Sequence, residues 1–112
     1  MKSFGMTLNL KSDPGVVDNY VEYHEAVWPD VLAGLGGIGI SRMKIFLHGL
    51  RLFMYMEAAD DFVPSRDFAA YMEKGRAKEW DELMRTFQEP VPGAASGEWW
   101  AEMEEVFDLE RG

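Results

Sequence analysis

Hydrophobic and polar residues alternate along the first ten positions of the chain. Between positions 2 and 10 the apolar side chains take every second place, so they share one face of an extended segment. A period of two over this length predicts a half-buried β-strand. The sequence Ser-Asp-Pro-Gly at 12–15 ends the strand and predicts a helix start, with Asp13 as the N-cap and Pro14 in the first helical position.

The spacing of apolar residues changes to three and four positions after Val16, which predicts an amphipathic helix. The residues that recur at this spacing are Val17, Tyr20, Val21, His24, Val27 and Trp28. Pro29 lies within the run, and an interior proline has no N–H to donate and clashes with the preceding turn. We therefore expect a kink or a new helix at Pro29, continuing to Leu35 and ending among the glycines at 34–39.

The middle of the chain returns to an extended pattern. Residues 38–47 predict a second strand, with 40–46 as its firmest part, and residues 52–58 predict a third. Gly49 supplies a tight turn between them, so we expect a β-hairpin over residues 38–58.

Signals are weaker in the last part of the chain. Helices are predicted at about 65–72 and 75–88, and the prolines and glycines of 90–97 predict a loop. A final strand is expected within residues 99–109. Its apolar members would be Met103, Val106, Phe107 and Leu109.

The predicted element order, β-α-β-β-α-β, is that of a ferredoxin-like subunit in the α+β class. The helices cover one face of such a sheet, whereas the other face stands open in a single subunit. Because an open apolar sheet face needs a partner, we expect a homodimer in which two sheets pack face to face. The length of 112 residues predicts a single domain over residues 1–112.

Composition and charge narrow the classes of function. The net charge is −9, and because an acidic protein repels phosphate backbones, nucleic-acid binding is disfavoured. The chain has no cysteine and only two histidines, which excludes cysteine-based sites and disfavours a histidine-rich metal site. No apolar run approaches the roughly 20 residues of a membrane span, and the N-terminus lacks the apolar core of a signal peptide. We therefore expect a cytoplasmic protein without a membrane partner.

Tyr20, His24 and Trp28 are spaced four residues apart and would form one row on the predicted helix. Aromatic faces can pack on the C–H patch of a sugar ring, while a phenol and an imidazole can bond to its oxygens. The ordinary pKa of a histidine such as His24 also lies near neutrality, as proton transfer requires. The alternative interpretation of this row is a partly buried histidine among core aromatics, without catalysis.

The other candidate ionisable groups are expected in solvent. His48 lies beside Gly49 in the predicted hairpin turn. Three carboxylates are expected along a solvated strand edge, and their spacing does not indicate a paired-carboxylate mechanism. They are Glu102, Glu104 and Glu105.

One segment of the chain follows the order Tyr20-x-x-x-His24-x-x-x-Trp28-Pro29-Asp30. This order resembles the signature of the L-rhamnose mutarotase family, in which tyrosine, histidine and Trp-Pro-Glu recur at the same spacing. Residues 103–109 resemble the closing strand of that family, and residues 80–84 resemble its tryptophan-containing helix. The resemblance covers essentially the whole chain.

The resemblance implies a cofactor-free enzyme, built as a dimeric α/β barrel, that interconverts the α and β anomers of a monosaccharide of the deoxy class. It implies His24 as the proton donor and Tyr20 as a sugar-binding residue. Trp80, Met43 and Trp28 are the further residues expected around the sugar, with Trp28 in a supporting position. The family's strand tyrosine falls at Met43, where a thioether replaces a hydroxyl. The pocket can therefore prefer a sugar other than L-rhamnose, such as L-fucose, and both sugars stay open.

The expected mechanism is general acid–base ring opening. His24 would protonate the ring oxygen while a base removes the proton of the anomeric hydroxyl, and closure on the other face would reverse both transfers. Tyr20 would orient the sugar or share the proton transfer, and Trp80 would form a stacking wall. Two other classes stay open, since the same barrel hosts cofactor-free oxygenases of aromatic substrates and non-catalytic ligand-binding dimers. An oxygenase pocket would be almost wholly apolar, whereas a mutarotase pocket should present several groups directed at hydroxyls.

Overall fold

The first strand, β1 (Lys2–Leu10), lies inside a five-stranded antiparallel sheet in the computed structural model, which describes residues 1–111. The other strands are β2 (Ile40–His48), β3 (Arg51–Ala58), β4 (Gln88–Glu89) and β5 (Ala101–Met103). The helices are α1 (Val16–Glu25), α2 (Pro29–Gly37), α3 (Pro64–Met72) and α4 (Ala77–Arg85), and a short 3₁₀ turn covers Leu109–Arg111.

The strands follow the order β2-β3-β1-β4, and β5 also pairs with β1. Strand β3 pairs with β1 along one edge. The short strands β4 and β5 pair with different parts of the opposite edge of β1. This arrangement confirms the predicted ferredoxin-like subunit. The helices α3 and α4 confirm the two helices predicted at about 65–72 and 75–88, and the predicted last strand is accompanied by the additional strand β4.

The two faces of the sheet differ because side chains alternate along each strand. On one face, Leu8, Met54 and Met56 are at most 6% exposed and pack beneath the helices. On the other face, Phe46 and Phe53 stack on each other at 6.1 Å between ring centres and remain 54% and 37% exposed. The expectation of one covered and one open face is thereby confirmed for the subunit.

The start of α1 differs from the prediction. Its N-cap is Gly15, which has a left-handed backbone with φ of 83°, and no side chain caps the helix. Asp13 contributes only its backbone carbonyl, which accepts a bond from the N–H of Val16 at 3.3 Å. Asp13 as N-cap and Pro14 as first helical residue were therefore wrong, because the left-handed turn at Gly15 separates both from the helix.

The predicted restart at Pro29 is confirmed. Helix α1 ends at Glu25, and Pro29 occupies the first turn of α2, where its missing N–H would have no partner in the helix. The N–H groups of Val31 and Leu32 both bond to the carbonyl of Trp28. Trp28 therefore stands at the junction of two helices and not on a continuous helix face.

The β2–β3 hairpin is also confirmed, but β2 begins at Ile40, two residues later than predicted. Ile38 closes α2 by donating its N–H to the carbonyl of Gly34 at 3.2 Å, and Gly39 then turns the chain with φ of 99°. The strand pairing is irregular between Ile40 and Arg42 before it becomes regular.

The C-terminal part departs furthest from the sequence prediction. Helix α4 ends at Arg85, and Gln88, expected to close that helix, begins β4. The last strand covers Ala101–Met103, within the predicted range 99–109 but only three residues long. Beyond it, three apolar residues expected in the strand are 71–87% exposed, and they are Val106, Phe107 and Leu109. Adjacent apolar residues cannot share one face of a strand, so this segment gains little by extending the pairing.

Candidate active site

Helix α1 places Tyr20 and His24 together, as their spacing predicted. Tyr20 is 4% exposed in the core and His24 is half-buried one turn later. The centres of their rings are 4.4 Å apart. Residues four positions apart lie on the same side of a helix, which brings both rings to the cavity between the helices and the sheet.

The imidazole of His24 is held in one orientation by its own helix. Its Nδ1 lies 2.8 Å from the backbone carbonyl of Tyr20, and because a carbonyl only accepts, Nδ1 carries the proton of the neutral ring. Nε2 is then left with its lone pair for a ligand. Burial lowers the pKa of His24 from its ordinary value, and the bond to the Tyr20 carbonyl partly offsets this. At neutral pH the ring is a base whose free nitrogen is Nε2.

The hydroxyl of Tyr20 is bonded to a residue of the sheet. The buried side chain of Gln88, in β4, donates from Nε2 to the Tyr20 hydroxyl at 3.4 Å. Burial raises the pKa of Tyr20 to about 12, so the phenol is neutral. Gln88 was missed in the sequence because it was assigned to the end of a helix, and nothing in its local pattern marks it as a partner of α1.

Trp80, in α4, forms the wall beside His24. Its ring is 8% exposed and meets the His24 ring edge-to-face at 5.4 Å between centres. Trp28 packs against Trp80 with 5.1 Å between the ring centres, and the Arg76 guanidinium lies 4.0 Å from the centre of the Trp28 ring. Among residues 1–111, the lining of the cavity includes Trp80 but not Trp28. Trp28 therefore supports Trp80 from behind.

The cavity has a volume of about 1080 Å³. Its floor is the covered face of the sheet, where Met43 of β2 lies beside Met56 of β3, and Ile45 lies beside Met54. Apolar residues of α2 and α3 form the far wall. Met43 thus lies in the cavity as expected, and it offers a thioether where a hydroxyl would be a donor.

Polar groups that the sequence interpretation did not single out also line the cavity. The ion pair of Asp81 and Arg85 lies on α4, and the Tyr71 ring comes from α3. Trp99 and Trp100 close the rim beside them. Asp81 directly follows Trp80, and Arg85 lies four residues after Asp81. This spacing could have predicted a polar pair on one side of the helix.

The remaining candidates lie in solvent. His48 ends β2 at the hairpin turn and is exposed, as predicted. Glu102 is exposed at the cavity rim, and Glu104 and Glu105 follow β5 in exposed positions. Within residues 1–111, no three histidine or acidic side chains are grouped to hold a metal ion. In the same part of the chain, no helix combines the length and apolar character needed to cross a membrane.

The chain is similar to known proteins over almost its whole length. The family model of L-rhamnose mutarotase matches residues 3–109. The chain is 46% identical over 113 residues to a UPF0734 protein of Dictyostelium discoideum, covering 97% of this chain and 90% of that protein. It is 35% identical over 111 residues to an L-fucose mutarotase of Xanthomonas campestris pv. campestris, covering 97% of this chain and 89% of that protein.

Two solved structures share the fold. An L-rhamnose mutarotase of Formosa agariphila matches with a TM-score of 0.70 at 21% identity, covering 97% of this chain and 99% of that one. Tetracenomycin F2 cyclase of Streptomyces glaucescens, a type II polyketide cyclase, matches with a TM-score of 0.62 at 18% identity, covering 96% of each chain. At these identities the two matches show the fold alone, which is that of the dimeric α+β barrel proteins.

Proposed function

Because the chain belongs to the L-rhamnose mutarotase family, we propose that it is an isomerase that interconverts the α and β anomers of a 6-deoxy-hexose, L-fucose or L-rhamnose. The observation that carries this proposal is the His24 imidazole, which is neutral, fixed by its backbone bond and free at Nε2 inside a cavity. Such a group is suited to move a proton between two oxygens of one sugar.

The neutral state of His24 sets the order of proton transfers in this proposal. Nε2 accepts the proton of the anomeric hydroxyl O1, the C1–O1 bond becomes a carbonyl, and the C1–O5 bond breaks as the ring oxygen takes a proton. O1 and O5 are attached to the same carbon, so Nε2 can deliver the proton it has just accepted. This order revises the expectation that His24 first protonates the ring oxygen, which requires an imidazolium that burial disfavours.

The neighbouring aromatic residues have binding roles in this proposal. The neutral Tyr20 hydroxyl accepts from Gln88 and keeps its own proton to donate to a sugar oxygen. The Trp80 ring lines the cavity, and an aromatic ring suits the C–H side of a sugar. Rotation about C1–C2 in the open aldehyde, followed by closure on the other face, needs only that these residues retain the sugar until the ring closes.

L-fucose is the proposed preferred sugar. The Xanthomonas relative, 35% identical over nearly the whole chain, is an L-fucose mutarotase. Met43 supports the same choice, because it presents no hydroxyl from β2 and therefore changes the pattern of donors around the sugar. A cytoplasmic location stays a prediction alongside this assignment.

Polar groups in the cavity favour a mutarotase over a cofactor-free oxygenase. The floor is apolar, but the walls carry the His24 imidazole, the Tyr20 phenol and the Asp81 carboxylate. Enclosing such groups away from water is costly unless they form hydrogen bonds, so an almost wholly apolar ligand would leave His24 Nε2, the Tyr20 proton and one oxygen of Asp81 without a partner. A free monosaccharide has hydroxyls for each of them.

A homodimer through the open sheet face is part of the proposal. Phe46 and Phe53 form an exposed stacked pair on that face, and Met103 in β5 is 48% exposed on the same side. Covering large apolar side chains is favourable by roughly 25 cal/mol per Å² removed from water. A second copy offers the same patch, and a two-fold axis through it would close both sheets into one barrel.

The test is saturation-transfer NMR on the anomeric protons of L-fucose and L-rhamnose, with matched variants of the two histidines. His24→Ala is expected to lower the catalysed exchange rate by roughly 10²–10⁴-fold, the usual contribution of a general acid–base group. His48→Ala, which removes an exposed imidazole, is expected to leave the rate unchanged. Equal exchange in wild type and His24→Ala would overturn the role of His24, and no exchange of either sugar by wild type would overturn the proposed function.

A further inference from the structure

A second set of polar side chains in the cavity has no part in the proton transfers. Asp81 and Arg85 are four residues apart on α4, with Arg85 Nε 2.9 Å from Asp81 Oδ2. The Arg85 guanidinium also lies 5.1 Å from the centre of the Trp99 ring. All three residues line the cavity. The ion pair leaves both side chains partly solvated, 33% exposed for Asp81 and 46% for Arg85, and places the Asp81 carboxylate among the groups that line the cavity.

The Asp81 carboxylate has unused capacity to accept hydrogen bonds. Its Oδ2 faces Arg85, and within residues 1–111 no hydrogen-bond donor of the protein contacts Oδ1. Burial raises the pKa of Asp81, whereas the positive charge of Arg85 acts in the opposite direction. An ionised carboxylate accepts up to about four hydrogen bonds, and those from hydroxyls to a charged oxygen are among the strongest.

Tyr71 brings a hydroxyl to the same side of the cavity. Its ring is 7% exposed, and a Cβ on Gly34 of α2 would lie 2.8 Å from it, so the close approach of the two helices fixes the ring. The hydroxyl has no hydrogen bond to residues 1–111, yet no side-chain oxygen in that range is both buried and unpartnered. The hydroxyl is therefore open to a ligand.

Tyr71 lies between two cavities and lines both, and Asp81 shares the larger one with it. Tyr71 also borders a smaller cavity of about 340 Å³ between α2 and α3, on the side of Gly34. Burial raises the pKa of Tyr71 to about 12, and the negative charge of Asp81, which lines only the large cavity, contributes to the rise. The hydroxyl is thus a neutral donor, on a residue that lines the same large cavity as Asp81.

We infer that Asp81 and Tyr71 form a specificity subsite that binds ring hydroxyls of the sugar. These hydroxyls do not react, whereas O1 and O5 react beside His24. This inference rests on the proposed function and names the groups that select its substrate. A 6-deoxy-hexose has hydroxyls at C2, C3 and C4 that take no part in mutarotation. Asp81 accepts from one or two of them, and Tyr71 bonds to another or to the same oxygen.

The floor of the cavity suits the C6 methyl group of such a sugar. Met43 and Met54 on the sheet floor offer thioethers and no hydrogen-bond donor, a surface that can accept the C6 methyl group of a deoxy sugar. The subsite therefore predicts discrimination by hydroxyl position on the α4 side, while the floor tolerates the methyl group.

The subsite is tested by measuring kcat and KM for anomer exchange with the full chain, Asp81→Asn and Tyr71→Phe. Asp81→Asn is expected to raise KM by roughly 10- to 100-fold, the range for hydrogen bonds to a charged group, and to change kcat by less than about threefold. Tyr71→Phe, which removes one neutral hydrogen bond, is expected to raise KM by about 2- to 10-fold. Glu82→Gln, an exposed carboxylate on the same helix, is the matched control and should match wild type.

Sugar analogues that lack one ring hydroxyl, at C2, C3 or C4, identify the contact. Wild type should lose activity on the analogue lacking the hydroxyl that Asp81 binds, and Asp81→Asn should show no further loss on that analogue. If Asp81→Asn does not fold, Tyr71→Phe and the analogue series with wild type decide the matter. Wild type that exchanges L-fucose while both variants stay within twofold of it would overturn the subsite and leave the mutarotase assignment standing. No exchange by wild type would instead overturn the proposed function.

Discussion

The two faces of the sheet are formed by the same strands but differ in how far their side chains are buried. On the covered face, Met54 and Met56 are 6% and 0% exposed, and the helices above them leave a cavity with His24 in its wall. On the open face, Phe46 and Phe53 are 54% and 37% exposed and contact each other. The covered face is complete within one subunit, whereas the open face has large apolar side chains without a covering layer.

The covered face carries the packing and the candidate site of the subunit, whereas the open face carries its proposed association. Substitutions on the covered face act on the folded subunit directly, because its side chains are close-packed. Substitutions on the open face should act through association, because the same side chains are solvated in the isolated subunit. Dependence on protein concentration therefore separates the two faces.

The largest effect is expected from Met56→Ala. Met56 is 0% exposed between β1 and β2, and truncating a buried methionine costs about 2–5 kcal/mol in free energy of unfolding through lost burial and the cavity that remains. The matched variant is Met103→Ala on the open face, where the residue is 48% exposed. Denaturant unfolding at several protein concentrations measures both.

The loss in Met56→Ala should be the same at every protein concentration. The effect of Met103→Ala should vanish at concentrations where the subunits are separated. A concentration-independent loss in Met103→Ala as large as that in Met56→Ala would break the distinction between the faces.

A smaller effect, confined to association, is expected from Phe53→Lys. A two-fold axis places the substituted residue in the interface twice, so two ammonium groups lose their water in an apolar contact. Loss of about 2 kcal/mol, typical of a central interface residue, raises the Kd of the dimer roughly 30-fold. Sedimentation velocity across a concentration series measures this shift.

Val63→Lys is the control for that experiment. Val63 precedes α3 and is 40% exposed, close to the 37% of Phe53, but it lies outside the sheet. It should leave the Kd unchanged. If Phe53→Lys and Val63→Lys have the same dimer Kd, the open face is not the interface.

Local patterns predicted the strands and helices that bury one clear face. The alternation of Met6, Leu8 and Leu10 predicted β1, and the four-residue spacing of Tyr20 and His24 brought their rings together as expected. Pro29 predicted the break between α1 and α2 because the restriction lies in the proline itself. These features depend on residues within one or two turns of each other.

Features that depend on distant contacts were missed. Gln88 meets Tyr20 across 68 positions, and its short strand β4 exists only because β1 offers an unpaired edge. Tyr71 reaches the cavity because Gly34 allows α2 and α3 to approach closely. Neither partner is marked in the sequence next to these residues, so spacing along the chain could not place them in the site.

The two histidines differ in their surroundings, and this difference predicts how the activity depends on pH. His24 lies at the cavity and His48 at the exposed end of β2. Burial lowers the pKa of His24 below its ordinary value of 6.5, and the proposed base must be unprotonated. The value of kcat/KM should therefore be constant at neutral pH and fall only as the pH drops through this lowered pKa.

Exchange rates are measured from pH 4 to 8, with the rate in enzyme-free buffer subtracted at each pH because acid and base also catalyse mutarotation in water. A ring-proton NMR titration of His24, assigned by its disappearance in His24→Gln, should give the same midpoint as the rate profile. His48→Gln should leave that profile unchanged, since its imidazole is outside the cavity. A midpoint above 6.5 would mean that the imidazolium is stabilised in the site, and the transfers would then begin with donation to the ring oxygen.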